Sequence, residues 1–162
     1  MFPNAKGSEE LSILATLDPA SQAAGTVTTG WVPVANFHAL LGVVETGVLG
    51  ASATVDAKLQ QAQDNIGTGA KDVTGKAIVQ IVKATGDNKQ ALINLKPEDI
   101  DNANGFGYVR LSLTVGVAAS IVAGKVVGMN PRYATAVGLL LEGVSQVQHG
   151  QLSRQGGSVK AV

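Results

Sequence analysis

The chain has 162 residues, with 12 Lys and Arg against 12 Asp and Glu, so its formal net charge is zero. It is 45% hydrophobic but only 4% aromatic, and it contains 20 glycines and no cysteine. This composition suits one domain with a core of small aliphatic side chains, and it excludes a disulfide scaffold, thiolate metal sites and cysteine nucleophiles.

Two stretches alternate apolar and polar side chains and are predicted to be half-buried β-strands, because alternate residues of a strand point to opposite faces of a sheet. Their apolar sets are Ala53, Val55, Ala57 and Leu59, then Val109, Leu111, Leu113 and Val115. Their polar sets are Thr54, Asp56, Lys58 and Gln60, then Tyr108, Arg110, Ser112 and Thr114. We therefore expect an all-β protein, an antiparallel β-sandwich of the jelly-roll kind.

The remaining elements follow from shorter alternations and from turn residues. Residues 1–10 are predicted to be a flexible lead-in, and residues 11–133 to be the sandwich domain. The predicted strands are 11–16, 26–34, 38–45, 52–61, 90–95, 108–115 and 121–128. Segment 74–83 is apolar on both alternating sets and is predicted to be a strand buried on both faces or a short helix.

Several turns are predicted between these strands. The polar, glycine-rich residues 62–72 indicate an exposed hairpin tip. Turns are also expected at 47–50, 85–89, 104–105 and 116–120. Residues 96–99, which include Pro97, resemble one helical turn that links the two sheets.

Beyond Tyr133 the pattern changes, and residues 134–162 are predicted to be a C-terminal arm. Apolar residues recur there at helical spacing, although Gly138 and Gly143 weaken a helix. They are Val137, Leu140, Leu141, Val144 and Val147. The last residues are polar and glycine-rich, as in arms that become ordered on a partner.

Charge is divided unevenly along the chain. Residues 1–101 carry 7 Lys and Arg and 11 Asp and Glu, a net of −4, whereas residues 102–162 carry 5 and 1, a net of +4. This division fits contact between copies of the chain, or scatter among solvated charges. No basic cluster indicates nucleic acid, and no apolar run approaches the ~20 residues that span a membrane, so we expect neither partner. No signal peptide is evident.

The sequence contains no motif typical of a catalytic or metal-binding site. The string at 67–77 differs from a phosphate-binding loop because Ala70 and Ala77 stand where that motif needs Gly and Ser or Thr. The acidic residues at 98–104 do not follow calcium-loop spacing and are interpreted as helix caps and turns. His38 and His149 are not paired for a metal, and no nucleophile motif is present. We expect no enzyme, no cofactor and no catalytic or metal-binding residue.

Five segments resemble a family of small tailed-bacteriophage virion proteins from the head region. They are Trp31, TVDAKLQQA at 54–62, GTGAKDVTGKAI at 67–78, GYVRLSLTVG at 107–116 and NPRY at 130–133. The resemblance covers residues 26–134 and implies a β-sandwich that decorates or cements the capsid by binding the major capsid protein. We further expect self-association, for example as a trimer, and a place on the capsid exterior after assembly in the host cytoplasm.

Asp64, Lys71, Arg154 and Lys160 are the candidate partner contacts. Asp64 and Lys71 bound the predicted tip, whereas Arg154 and Lys160 lie in the arm. The polar strand faces with Asp56, Lys58 and Arg110 are further candidates. Two alternative functions remain: a head–tail connector, neck or tail protein, and a carbohydrate-binding module, which the few aromatic residues disfavour.

Overall fold

The computed structural model describes residues 6–132, which form two antiparallel sheets packed face to face. The ten strands are β1 (Leu11–Gln22), β2 (Gly25–Thr28), β3 (Val32–Pro33), β4 (Phe37–Thr46), β5 (Thr54–Ala62), β6 (Lys71–Ala77), β7 (Ile81–Val82), β8 (Gln90–Leu95), β9 (Tyr108–Gly116) and β10 (Ser120–Pro131). Two helical turns are α1 (Gly7–Glu10) and α2 (Lys83–Gly86), and two 3₁₀ turns are Pro97–Asp99 and Asn102–Asn104.

The strand order confirms the jelly-roll prediction. The four-stranded sheet has the order β1-β10-β4-β8, and the six-stranded sheet has β2-β9-β5-β6, with β3 on β9 and β7 on β5. Without the two-residue strands, the first strand pairs with the last, the second with the next to last, and so on inward. These successive pairs alternate between the sheets, which is the connectivity of a jelly roll.

The core lies between the two sheets and is made of the apolar sets that the alternation predicts. Val55, Leu59, Leu111 and Leu113 of the six-stranded sheet are almost fully buried. They face the four-stranded sheet, where a Cβ built on Gly124 would lie only 2.7 Å from Leu111 Cδ2. The absence of a side chain at this position allows a leucine from the opposite sheet to fill the space.

Several predicted elements differ in extent from the observed ones. The first strand continues to Gln22, because its register shifts keep it paired with β10 past Pro19. The segment predicted as one strand at 26–34 is two strands, β2 and β3, which both pair with β9. Within the predicted lead-in, α1 forms one helical turn.

The prediction for residues 74–83 is wrong. Residues 71–77 form β6, an edge strand that is mostly exposed, and only Ile81 and Val82 pair again with β5 before α2 begins. The apolar residues of this segment do not lie on both faces of a central strand. Val79 is 90% exposed, because the connection between β6 and β7 leaves the sheet there.

Candidate contact surface

A row of four side chains crosses the outer face of the six-stranded sheet. Gln60 of β5 is opposite Arg110 of β9 on one side and Asp72 of β6 on the other. Trp31 extends the row, since the pairing of Val32 with Val109 places Trp31 beside Arg110. We call Trp31, Arg110, Gln60 and Asp72 the polar row. Residues from four separate segments thus become neighbours through strand register.

Direct contacts join each member of the polar row to the next. The Arg110 guanidinium lies 4.4 Å from the centre of the Trp31 ring, a cation–π distance. Arg110 Nε donates to Gln60 Oε1 at 2.9 Å, and Gln60 Nε2 donates to Asp72 Oδ1 at 2.9 Å. Lys58 Nζ approaches Asp72 Oδ2 at 2.6 Å. Hydrogen bonds from Lys58 and then Gln60 lower the pKa of the Asp72 carboxyl, so these two contacts favour its ionised form.

The rest of this face is also polar and linked across strands. Gln80 Nε2 donates to Asp56 Oδ2 at 2.8 Å, and the hydroxyls of Thr26 and Thr114 lie 2.7 Å apart. Because partners hold these side chains, the face presents a preorganised set of donors and acceptors rather than mobile charges.

The hairpin tip at residues 63–70 lies at one end of this face. Asp64 Oδ1 accepts hydrogen bonds from the amides of Ile66, Gly67 and Thr68, at 3.1, 2.8 and 2.9 Å. The Thr68 hydroxyl donates to Asp64 Oδ2 at 2.5 Å. These bonds, chiefly those from Thr68, lower the pKa of the Asp64 carboxyl. The Asp64 side chain therefore shapes the loop in which it lies.

The tip is attached to the polar row through Gly67. Gly67 has a φ of +95° and lies so close to Trp31 that a Cβ there would be 2.8 Å from the indole Nε1. Both the backbone conformation and the close approach favour glycine. Ile66 is the next residue back along the chain, and its side chain is 82% exposed. The tip thus exposes an apolar side chain to solvent beside a polar face whose side chains are held by hydrogen bonds.

Lys71 begins β6 at the base of the tip. Its Nζ lies 2.6 Å from Asp101 Oδ2 and 4.2 Å from the centre of the Phe106 ring. The hydrogen bond from Lys71, with a second from Asn104, lowers the pKa of Asp101. Lys71 therefore joins the tip to the connection between β8 and β9.

Two of the four residues predicted to contact a partner make interactions within the chain. Asp64 lies in the tip and Lys71 at its base, and the charged atoms of each have partners within the chain. Arg154 and Lys160 lie outside the described residues. Contact of these four residues with another protein stays a prediction.

Predictions from the sequence missed two features of the surface. Nothing in the sequence indicated that Trp31 and Arg110 are neighbours, because their contact depends on the register of β3 and β9. Ile66 was also not singled out, although an isoleucine inside a glycine-rich polar loop is a signal that could have been used.

The outer face of the four-stranded sheet carries a group of apolar side chains, and this was also not predicted. We call the following residues the apolar face: Leu11, Ile13, Leu41, Val43, Leu92, Val127 and Met129. Register places them together, with Leu11 opposite Met129, Ile13 opposite Val127 and Val43 opposite Leu92. Ile13 is 60% exposed and Leu92 is 59% exposed. Lys125 and Glu45 lie beside these residues on the same outer side and form an ion pair at 3.3 Å.

The acidic residues before β9 act as predicted, in caps and turns. Asp99 Oδ2 accepts a hydrogen bond from the Lys96 amide at 2.7 Å, which caps the 3₁₀ turn, and it lies 2.7 Å from Lys76 Nζ. Hydrogen bonds from Lys76 and Lys96 lower the pKa of Asp99. Over residues 6–132 no group of three or more His, Asp or Glu side chains could hold a metal ion. No helix in the same range is long and apolar enough to cross a membrane.

We expect Arg110→Ala to expose the indole of Trp31, the single tryptophan of the chain. Loss of the cation–π contact and of the bond to Gln60 should lower the free energy of unfolding by about 1 kcal/mol and raise acrylamide quenching of tryptophan fluorescence. The matched control is Lys125→Ala, which removes a cation from the other sheet and should leave quenching unchanged. Equal quenching in both variants would show that Arg110 does not cover the ring.

We expect Asp64→Ala to loosen the tip without unfolding the sandwich. The amides of Ile66, Gly67 and Thr68 should exchange hydrogen faster, and Asp64→Asn, which keeps one acceptor oxygen, should show a smaller increase. Asp87→Ala provides the control, since Asp87 Oδ1 accepts from the Leu49 amide in a different loop. Unchanged hydrogen exchange at residues 66–68 in Asp64→Ala would contradict the role of Asp64 in holding the tip.

Comparison with known proteins finds no matching family model and no matching curated protein. Among solved structures, the chain is similar to a CBM4 chain, with 16% identity over 72% of this chain and 67% of that one, at a TM-score of 0.39. A Triatoma virus chain has 6% identity, coverage of 80% and 68%, and a TM-score of 0.44. A Bacillus endospore appendage chain, from disulfide-linked pili, has 13% identity, coverage of 80% and 99%, and a TM-score of 0.35. These likenesses are too weak to carry an argument about function.

Fold and site together define the class of this protein. It is a jelly-roll β-sandwich with a polar outer face on one sheet and a group of apolar side chains on the outer face of the other.

Proposed function

We propose that this protein is a structural component of a tailed-bacteriophage virion that decorates or cements the outer capsid surface. In this role it binds the major capsid protein, bridges adjacent subunits, associates with further copies of itself and catalyses no reaction. It is assembled in the host cytoplasm and resides on the capsid exterior.

One observation carries the proposal: four of the five segments of the phage resemblance, distant in sequence, converge on one surface, while NPRY begins at the end of β10 in the other sheet. Trp31, the TVDAKLQQA strand β5, the GTGAKD tip and the GYVRLSLTVG strand β9 all belong to the six-stranded sheet or its tip. Their side chains form the polar row and its attachment to the tip. The outward-facing residues of these segments therefore lie on a surface that another protein could reach.

Two properties of the surface suit docking to another protein and support the proposal. Its donors and acceptors are held by cross-strand bonds, so little side-chain entropy is lost on binding. Exposed Ile66 supplies an apolar anchor at the tip. Weak contacts suffice, because many copies on a lattice add their contacts into strong avidity.

The test is binding of purified protein to capsids that lack it, measured by cosedimentation. Ile66→Asp should weaken binding about tenfold or more, since burial of one isoleucine contributes about 1.5–3 kcal/mol. Val117→Asp is the matched control, because Val117 is 71% exposed in the turn at the opposite end of β9. Absence of binding by the unaltered protein would reject the proposal. So would deletion of the gene with no change in particle composition or in resistance to heat and osmotic shock.

Copy number separates capsid decoration from a neck or tail position. A decoration protein should approach the major capsid protein in abundance on a stained gel of purified particles. A ring at the portal or tail would contribute about a dozen copies or fewer, as expected for closed cyclic symmetry.

A carbohydrate-binding role is disfavoured by the surroundings of Trp31. Arg110 lies over its ring and Gly67 lies against its edge, so a sugar could stack on that covered face only by displacing Arg110. A glycan array tests this alternative, and specific binding abolished by Trp31→Ala would favour it over capsid decoration.

A further inference from the structure

The four-stranded sheet ends at β8, a strand with one free edge. In the part of the chain that the structure describes, β8 pairs only with β4. The Thr46 amide donates to Lys89 O at 2.8 Å, and antiparallel strands exchange such bonds at every second position. Alternate residues of β8 therefore direct their backbone groups to β4, and the intervening Gln90, Leu92 and Asn94 direct theirs to the free edge.

The other sheet edges carry features that hinder pairing with a further strand. Strand β1 contains Pro19 and two shifts of register against β10. Strands β2 and β3 have only four and two residues, and β3 includes Pro33. Strand β6 has three charged residues, a register shift against β5 and a φ of +73° at Gly75, and the neighbouring β7 has two residues.

Strand β8 has none of these features. Its sequence, QALINL, contains no charged residue, proline or glycine, and its register with β4 is continuous over six residues. Leu92 near its centre is 59% exposed, and an unprotected edge strand with an exposed apolar side chain favours pairing with another strand. Among the edges that the structure describes, the edge of β8 is therefore the one suited to contact with a further strand.

The free edge of β8 is complementary to itself. In an antiparallel pair of β8 strands, the residues that direct backbone groups outward must face one another. A pair centred on Leu92 meets this condition, because Leu92 then faces Leu92 of the second copy, and Gln90 of each copy faces Asn94 of the other. This register gives about six backbone hydrogen bonds, brings two leucine side chains together and places no charge opposite another.

We propose that two copies of this chain associate through their β8 edges, which joins their four-stranded sheets into one continuous sheet of eight strands. The contact has two-fold symmetry, so it closes at two copies and predicts a dimer rather than a trimer. Six residues on each side form a small interface, so the dimer is weak in solution and is strengthened where copies are held side by side. The inference identifies the surface for self-association in the proposed function, and its role on a capsid rests on that function.

The first test exchanges charge at Leu92 and measures sedimentation equilibrium of the full chain. The unaltered protein should form dimers as its concentration rises to about 1 mM, the range of effective concentrations between tethered copies. Leu92→Lys and Leu92→Asp should each dimerise at least about tenfold more weakly, because the leucine contact is lost and like charges face each other. An equimolar mixture of the two variants should dimerise more strongly than either alone. Val79→Lys and Val79→Asp, at a 90% exposed position outside the strands, are the controls and should dimerise like the unaltered protein.

A second measurement needs no substitution. Amide hydrogen exchange at Gln90, Leu92 and Asn94 should slow as protein concentration rises, because these amides point to the free edge, while the Ile93 amide, bonded to β4, stays protected at every concentration.

A protein that stays monomeric at about 1 mM would overturn the proposal. So would dimers that persist unchanged in both charged variants, a mixture that dimerises no better than either variant, or protection of the three edge amides that does not depend on concentration. All readouts use the isolated protein, so their failure leaves capsid binding through the tip unaffected. Loss of capsid binding by the unaltered protein would in turn leave the β8 dimer unaffected.

Discussion

Leu111→Ala is expected to lower the free energy of unfolding by about 3 kcal/mol, because it leaves a cavity between the sheets. Leu111 is fully buried on β9, and its Cδ2 lies in the space left open by Gly124 on the opposite sheet. Urea or thermal denaturation followed by circular dichroism measures the change. Val79→Ala, at a 90% exposed position, is the control and should stay within about 0.5 kcal/mol of the unaltered protein.

A double-mutant cycle checks that the loss of unfolding free energy arises from packing between the two sheets. Gly124→Ala alone should destabilise the protein, since its methyl group would lie 2.7 Å from Leu111 Cδ2. In the Leu111→Ala background that clash is absent, and the alanine at position 124 should fill part of the cavity. If the losses of unfolding free energy in the two single variants simply add in the double variant, the proposed contact between Leu111 and Gly124 is contradicted.

Acid is expected to destabilise the sandwich, because ionised aspartates contribute to its stability. The pKa values of Asp64, Asp72, Asp87, Asp99 and Asp101 are all lowered from the ordinary 3.8. Hydrogen bonds are the largest cause in each case: from Lys side chains at four of the sites and from Thr68 at Asp64.

The sign of the pH effect follows from these lowered values. A carboxyl that is more acidic in the folded state stabilises the fold above its unfolded pKa, and this contribution is lost as the pH falls through the folded pKa. The melting temperature should therefore change little from pH 7 to about pH 5 and fall below about pH 4. Asp72→Asn should lower the melting temperature at pH 7 and reduce the fall in acid. A melting temperature that stays constant down to about pH 2 would contradict this dependence on carboxylates.

The two outer faces show how far alternation predicts a surface. For β5 and β9, one alternating set is apolar and the other polar, so the core side and the polar outer side were both predicted correctly. In β4 both sets are apolar, since Leu40 and Val44 alternate with Leu41 and Val43. Alternation cannot say which set of such a strand faces the core, and the apolar face was missed for this reason.

The prediction for residues 74–83 was wrong for a related reason. Its apolar residues were assigned to a strand buried on both faces or to a short helix, because a short apolar run has no periodicity that separates these from an edge connection. In the structure it lies at the edge of the six-stranded sheet, where β6 ends and β7 begins. Position in the sheet, which depends on distant strands, determined its burial.

The sequence alone determined the fold class, the inward-facing residues of β5 and β9, the exposed tip and the capped turn before β9. These are properties of residues close together in the chain, where side-chain period and local hydrogen bonds decide the outcome. Only the tertiary structure decided the polar row and the apolar face. Both are built by pairing strands that are distant in sequence, so Trp31 meets Arg110, and Ile13 meets Val127, through register that no local pattern encodes.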